Sequence, residues 1–359
     1  MQSEIRIEQL KHAEKDAALA FLRKAYADSP RQSDPNFWDW HFIESPHVDP
    51  AGLPIWLAKS GDRIAGQLAT LPVELNIGAK KVKALWVLDW IVDADFRRQG
   101  IGKKLAMAAE QFSPYLLGVN TDQQHAPALL LGLNWVVVSR IPRFHKILYP
   151  GNALREISGI PPLRGIVNAI SAPLRPGIKK NFLVGPELRI LEHFGPSFDV
   201  LWSESNEQWK CAVSRSSEML EWQFKRQPGK QFDILGYFAG EKLLGYAVLF
   251  FRKANTSGSI AKAAISDICY YPEKPQQTVD ALIQGSLQLC LKRRAGGLVA
   301  DAIDSQLEHR LKHFGFWKVG SPLQLMAKSP DDQEIVYKRE NWFLTRGDSD
   351  ISIFEDSNL

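Results

Sequence analysis

The sequence predicts an α/β (α+β) chain of two similar lobes, and three observations carry that prediction. A nearly continuous apolar run, Ala84 to Val92, leads through a glycine turn, Arg97-x-x-Gly100-x-Gly102, into an Ala-rich, helix-prone stretch, Lys103 to Gln111. Around that turn, short segments of polar and apolar alternation interleave with segments of helical periodicity. The pattern of the first half then recurs in the second.

Taken in order, Glu4 to Leu10 alternates like a half-buried strand, and Asp16 to Tyr26 carries an apolar helical face from Ala17, Leu19, Phe21, Leu22 and Tyr26. Trp38, Trp40 and His41 follow in a loop-rich segment, where core packing is the favoured reading over a pocket wall. Pro54 to Ala58 and Arg63 to Val73 read as a hairpin around Ser60-Gly61-Asp62, and a further strand starts near Lys81 and runs to Val92. After the glycine turn and its helix, Tyr115 to Asn120 is a short apolar strand. Ala126 to Val138 supplies a helix ending near Gly132 and a last strand.

Two glycines spaced by one residue, directly before a helix, let several backbone N–H groups point at one anion, and a pyrophosphate fits that arrangement. Neither a Rossmann fingerprint nor a P-loop is present. The run from Val92 through Phe96, Arg97, Gly100 and Gly102 to Leu105 resembles motif A of the GNAT acyltransferase superfamily, and residues 1 to about 150 match that superfamily's order of elements. The resemblance implies two tandem GNAT-like domains, each a mixed, mostly antiparallel central sheet flanked by helices. It also implies an acyl-coenzyme A site, with acetyl-CoA as donor. Its residues would be Ile91, Val92, Arg97, Arg98, Gln99, Gly100, Ile101, Gly102, Lys103 and Asn120, the last placed either to bond the pantetheine arm or to cap a following helix.

The repeat is read from several matches. Trp38-Asp39-Trp40-His41-Phe42 is echoed by Leu220-Glu221-Trp222-Gln223-Phe224, Gly66-Gln67 by Gly245-Tyr246, and Leu88 to Val92 by Ser266 to Tyr270. Where the first copy has Phe96 to Gly102, the second reads Lys274 to Asp280, without a glycine and with Thr278 set against Gly100. Side chains there would crowd a pyrophosphate and Asp280 would repel it, so the second lobe is expected to keep the fold and lose the cofactor. Domain spans follow as 1–150 for the acyl-CoA lobe, 151–185 for a linker with apolar anchoring, 186–330 for the degenerate lobe and 331–359 for a tail. The aromatic part of that tail, Asn341 to Leu344, is expected to dock, and its acidic end, Asp348, Asp350, Glu355 and Asp356, to be solvated.

Composition bounds the rest. The chain has 359 residues and 45% hydrophobic content, enough for two packed cores. No apolar run approaches the roughly 18 residues of a spanning helix, and no signal-peptide core is present, so a cytoplasmic enzyme is expected. Cys211, Cys269 and Cys290 lack CxxC spacing, so neither a disulfide framework nor a metal site is expected. A net charge of +4 without a basic and aromatic array argues against a nucleic-acid partner.

The chemistry implied by the resemblance is direct attack of an amine, from a small molecule or amino sugar, on the thioester carbonyl. Asp89 is the candidate general base, an acid in an otherwise apolar strand where burial would raise its pKa. Asp267 holds the matching place in the second lobe, so a shared structural duty explains both and is favoured. The tyrosine that relatives place as general acid is absent, Ala128 standing there, and His125 and Tyr115 are the nearest substitutes along the chain. A longer acyl-CoA or an acyl carrier protein as donor, and a non-catalytic acyl-CoA-binding protein, are the alternatives.

Overall fold

The computed structural model describes residues 4–27, 30–49, 52–121, 130–152, 161–170, 187–253 and 260–349. They fall into two compact units. The first comprises Met1–Ser139, Arg226–Lys230 and Leu323–Lys338, and the second Arg140–Lys225, Gln231–Pro322 and Arg339–Leu359. Compared with the spans expected from sequence, each unit borrows a segment from the other half of the chain.

In the first unit, β1 (Ile5–Gln9), β2 (Ile55–Ser60), β3 (Arg63–Ile77) and β4 (Lys80–Val87) form an antiparallel run, and β5 (Ile91–Val92) continues the line of β4 beside the start of β3. Gly61, with φ +61°, makes the two-residue turn between β2 and β3, which pair from Ser60 to Arg63 outward. β6 (Leu116–Thr121) is parallel to β4, and the strand Leu323–Lys328 pairs with β6 along its whole length before β7 (Val136–Arg140) completes the sheet. Among the described residues, α1 (Lys15–Ala25), α2 (Pro35–Phe42), α3 (Ile101–Phe112) and the short helix Gln333–Val336 accompany it.

α2 starts where Asp34 accepts bonds from the N–H groups of Asn36 and Phe37, with Pro35 preset for the first turn. It buries Phe37, Trp38, Trp40, His41 and Phe42. His41 is accordingly a core residue, its pKa driven down to about 3 by burial and by the Arg31 charge, so it stays neutral.

The second unit repeats this order. β8 (Arg143–Ile147) belongs to it, followed by α4 (Pro161–Ile170), β9 (Leu188–Leu191), α5 (Pro196–Ser205), β10 (Cys211–Val213), α6 (Ser217–Leu220), β11 (Phe232–Ala239), β12 (Lys242–Lys253) and β13 (Ile260–Tyr270). α7 (Pro275–Lys292), β14 (Gly297–Ile303), α8 (Ser305–His313) and β15 (Trp317–Val319) follow. β9, β11, β12 and β13 are successively antiparallel, β13 and β14 are parallel, and β8 lies between β14 and β15. β8 thus takes in this sheet the place that Leu323–Lys328 takes in the first. Each unit is a mixed, mostly antiparallel sheet with flanking helices.

Asp348 departs from its expected place in a solvated tail. The strand Trp342–Thr345 is fully buried, and Asp348 just beyond it accepts from Arg215 Nη2 at 2.6 Å and from the Thr345 N–H at 2.6 Å. A buried arginine needs a partner charge, and Asp348 supplies one. Asp350, Glu355 and Asp356 lie outside the described residues.

Candidate acyl-coenzyme A site

β4 and β6 pair in parallel at Leu85 with Leu116 and at Trp86 with Leu117. Beyond that point β5 stays with β3, where Gly66 faces Val92 and Gln67 faces Ile91. β6 stays instead with Leu323–Lys328, and Asn120 pairs with Gln324. Among the described residues no ladder joins Ile91–Val92 to Val119–Asn120, so the two strands part at their C-terminal ends. An opening between parallel strands exposes unpaired backbone N–H and C=O groups, which an extended, amide-bearing ligand can match.

The glycine turn stands at the end of that opening. Arg98 (φ +63°) and Gly100 (φ +74°) adopt left-handed backbone, and Gly100 is the N-cap of α3. A methyl group at Gly100 would meet nothing within 4 Å, so the glycine is required by its φ and the space beside it is open. The N–H groups of Ile101, Gly102 and Lys103 belong to the first turn of α3, which has no carbonyl partners within its own helix. Arg97, Arg98, Gln99, Lys103 and Lys104 are exposed around them, a cationic rim on a helix N-terminus. Ile101 and Leu105 are buried against Gly66, where any Cβ would meet Ile91 O at 3.0 Å. These features fit a pyrophosphate bound at the turn with the rest of the ligand running back along β5.

The approach to the turn is pinned by charge. Asp93 accepts from Lys24 Nζ and Arg63 Nη2, each at 2.9 Å, and Arg63 also bonds Asp95 at 2.6 Å while lying over the Phe96 ring. The lysine and arginine together hold the Asp93 carboxyl far below the usual carboxylate range. Arg97 Nε donates to Val92 O at 3.2 Å, tying the turn to the strand before it.

Asp89 occupies the irregular link between β4 and β5. Burial raises its pKa to about 6 against a weaker opposing effect from a hydrogen bond with Tyr26, the residue that ends α1. Its sequence counterpart is placed very differently. Asp267 accepts from Tyr246 Oη at 2.6 Å, from Thr345 Oγ1 at 2.7 Å and from Arg215 Nε at 3.3 Å, all of them buried. The matching positions therefore hold one buried carboxyl with a raised pKa and few partners, and one carboxyl bonded by three buried side chains.

Asn120 is brought to the opening, its side-chain amide folded over Gly118. Tyr115 is not: it precedes β6 at the opposite end of the strand, where its carbonyl accepts from the Leu85 N–H at 3.0 Å. His125 lies outside the described residues. Tyr26, which bonds Asp89, was missed in the sequence, where it counted only as part of an apolar helix face.

The second unit closes its version of the turn by geometry as well as by composition. A Cβ on Gly245 would meet Thr278 and Leu282 as one on Gly66 meets Ile101 and Leu105, so Thr278 matches Ile101 and not Gly100. Gly100 corresponds to Gln277. Helix α7 begins at Pro275, with Lys274 as its left-handed N-cap, so helix occupies the place that the open turn takes in the first unit. Asp280 is held by Arg310 at 2.5 and 2.7 Å.

Residues 6–112 match the family described as acetyltransferase (GNAT) domain. The first unit carries a GNAT domain. No curated protein sequence matches the chain. Among solved structures, Saccharomyces cerevisiae N-myristoyltransferase with bound myristoyl-CoA is similar over 91% of this chain and 83% of its own, at 11% identity and a TM-score of 0.61. A GCN5-related N-acetyltransferase from Anabaena variabilis is similar over 90% and 72%, at 12% identity and 0.60. One from Kribbella flavida is similar over 94% and 74%, at 12% identity and 0.57. At these identities the likeness is one of fold, and it spans both units. Among the described residues no helix is long and apolar enough to cross a membrane, and no cluster of His, Cys, Asp and Glu could hold a metal ion.

Proposed function

We propose that the chain is an acyl-CoA-dependent N-acyltransferase that moves an acetyl group from acetyl-CoA to an amine of a small molecule or amino sugar. The observation that carries this reading is the juxtaposition of an open, cationic glycine turn with a carboxyl, Asp89, on the same parted strand. The turn and Asn120 hold the donor, and backbone of Ile91 and Val92 orients the thioester. Asp89, with a pKa near 6, is ionised at neutral pH yet basic enough to accept a proton.

The amine nitrogen attacks the thioester carbonyl carbon with its lone pair. Collapse of the tetrahedral adduct breaks the C–S bond, and sulfur leaves with the bonding electrons. Asp89 takes the proton released from nitrogen, and the coenzyme A thiolate is protonated from solvent. A second reading, a longer acyl donor, is supported by the similarity to a myristoyl-CoA-bound enzyme over most of both chains. Incubation with acetyl-CoA or myristoyl-CoA and a panel of amines, followed by free-thiol release, tests both. Acetyl-CoA turnover is the expected result, exclusive use of myristoyl-CoA selects the second reading, and no amine-dependent thiol release with either contradicts the proposal.

A further inference from the structure

α4 (Pro161–Ile170) is tied to the second unit through Asn168 and turns its isoleucines to solvent. Asn168 Oδ1 accepts from the Gly151 N–H at 2.8 Å, and Asn168 Nδ2 donates to Asn152 Oδ1 at 3.2 Å. In a helix of 3.6 residues per turn, the positions two before and two after Asn168 lie about 160° round the axis from it. Ile166 and Ile170 occupy them. Their exposures, 56% and 71%, are the two highest of any large hydrophobic side chain among the described residues. Single exposed apolar residues are ordinary, but a pair one turn apart, with the exposed Gly165 and Ala169 beside it, makes a short apolar ridge.

Basic residues stand at the foot of this helix. Asn152, which Asn168 holds, also donates to Arg294 O, just past the end of α7. That end is closed by bonds from the Arg293 N–H to Leu289 O and from the Ala295 N–H to Cys290 O, and Lys292 and Arg294 are exposed there. Arg293 between them pairs with Asp233 at 2.6 Å. α4 itself contains no acidic residue. This corner of the unit therefore combines an apolar ridge, free of negative charge, with two exposed cations.

Size decides what such a corner fits. A helix of ten residues is about 15 Å long, too short to supply the roughly 800 Å² that each side of a stable protein interface buries. A bilayer asks for less. It takes an apolar ridge about 5–10 Å into the boundary between headgroups and acyl chains, and anionic lipid adds attraction for lysine and arginine nearby. We infer that α4, with Lys292 and Arg294, is a docking surface for an anionic membrane. Ile166 and Ile170 enter the interface, and the two cations lie among the lipid phosphates. None of these residues belongs to the acyl-CoA site, so the docking surface does not depend on that reading.

Sedimentation of the full chain with sucrose-loaded vesicles tests this. Wild-type protein should partition onto vesicles of equal parts phosphatidylcholine and phosphatidylglycerol at least tenfold more strongly than onto phosphatidylcholine alone, and less strongly at raised salt. Ile166→Ser combined with Ile170→Ser should lose at least tenfold in partition while melting where wild type does, since both positions are exposed. Ile170→Trp should bind more tightly, because an indole favours the membrane interface. Lys292→Gln combined with Arg294→Asn should lose the preference for phosphatidylglycerol; asparagine tolerates the left-handed backbone at Arg294, φ +56°. Wild-type protein that stays off anionic vesicles, or partition that the serine substitutions leave unchanged, would overturn the inference. So would a concentration-dependent dimer that the serine substitutions dissolve, which would make a second copy the occupant.

Discussion

Asp89 and Gly100 carry the account at the scale of single residues. Because burial raises the folded-state pKa of Asp89 to about 6, its ionised form is less favourable in the fold than in the unfolded chain, and it subtracts stability as pH rises from about 4 to 6. Asp89→Asn removes that penalty. The variant should melt at or above the wild-type temperature at pH 7, an advantage that disappears below about pH 4, while turnover falls by roughly 10²-fold. The wild-type rate should climb with pH through about 6 and the variant's should not. A variant that melts well below wild type at pH 7 would assign Asp89 a structural duty like that of Asp267. The sequence raised both readings and favoured the structural one from the repeat, because burial and partners decide a carboxyl's behaviour and neither is local in the chain. At Gly100 the φ of +74° and the open space beside it separate two effects. Gly100→Ala should cost about 1 kcal/mol of stability through backbone strain with a moderate loss of coenzyme A affinity, and calorimetry should show Gly100→Asp abolishing binding by charge.

Among the elements, the strand, turn and helix of the proposed cofactor site were legible as secondary structure because each signal lies within a few residues: an apolar run, two glycines, an Ala-rich stretch. The pinning of the turn was not legible. Asp93 meets Lys24 and Arg63, which are 69 and 30 positions away. Its depressed pKa means that these bonds contribute stability fully above about pH 4 and lose it as pH falls through the folded value. Asp93→Asn should therefore lower the melting temperature at pH 7 and approach wild type as the pH drops below about 4, as thermal scans across that range would show. The break between β4 and β5 escaped notice for a similar reason. Ala84 to Val92 reads as one strand, and only the pairing of β3 with both pieces reveals the interruption that frees Asp89.

Across the whole molecule the two units share a strand order and differ where the glycine turn of the first is replaced by helix in the second. The repeat could be read from spacing, but the exchange of Leu323–Lys328 and β8 between units could not, because these strands pair with residues about 200 and 150 positions away. β8 is secured in the second unit by a buried cluster in which Asp301 takes Arg143 at 2.7 Å and also Arg346. Asp301→Ala removes a buried carboxylate shared by two arginines and should destabilise that unit by about 3 kcal/mol, measurable by chemical denaturation. In the second unit the first residues of α7 occupy the place of the glycine turn, so on the proposed function the chain should bind one coenzyme A and not two. Titration calorimetry of coenzyme A into the intact protein measures this directly: one site per chain, lost in Gly100→Asp and retained in Gln277→Asp, is the predicted result, and two equivalent sites, or binding that survives Gly100→Asp, would contradict it.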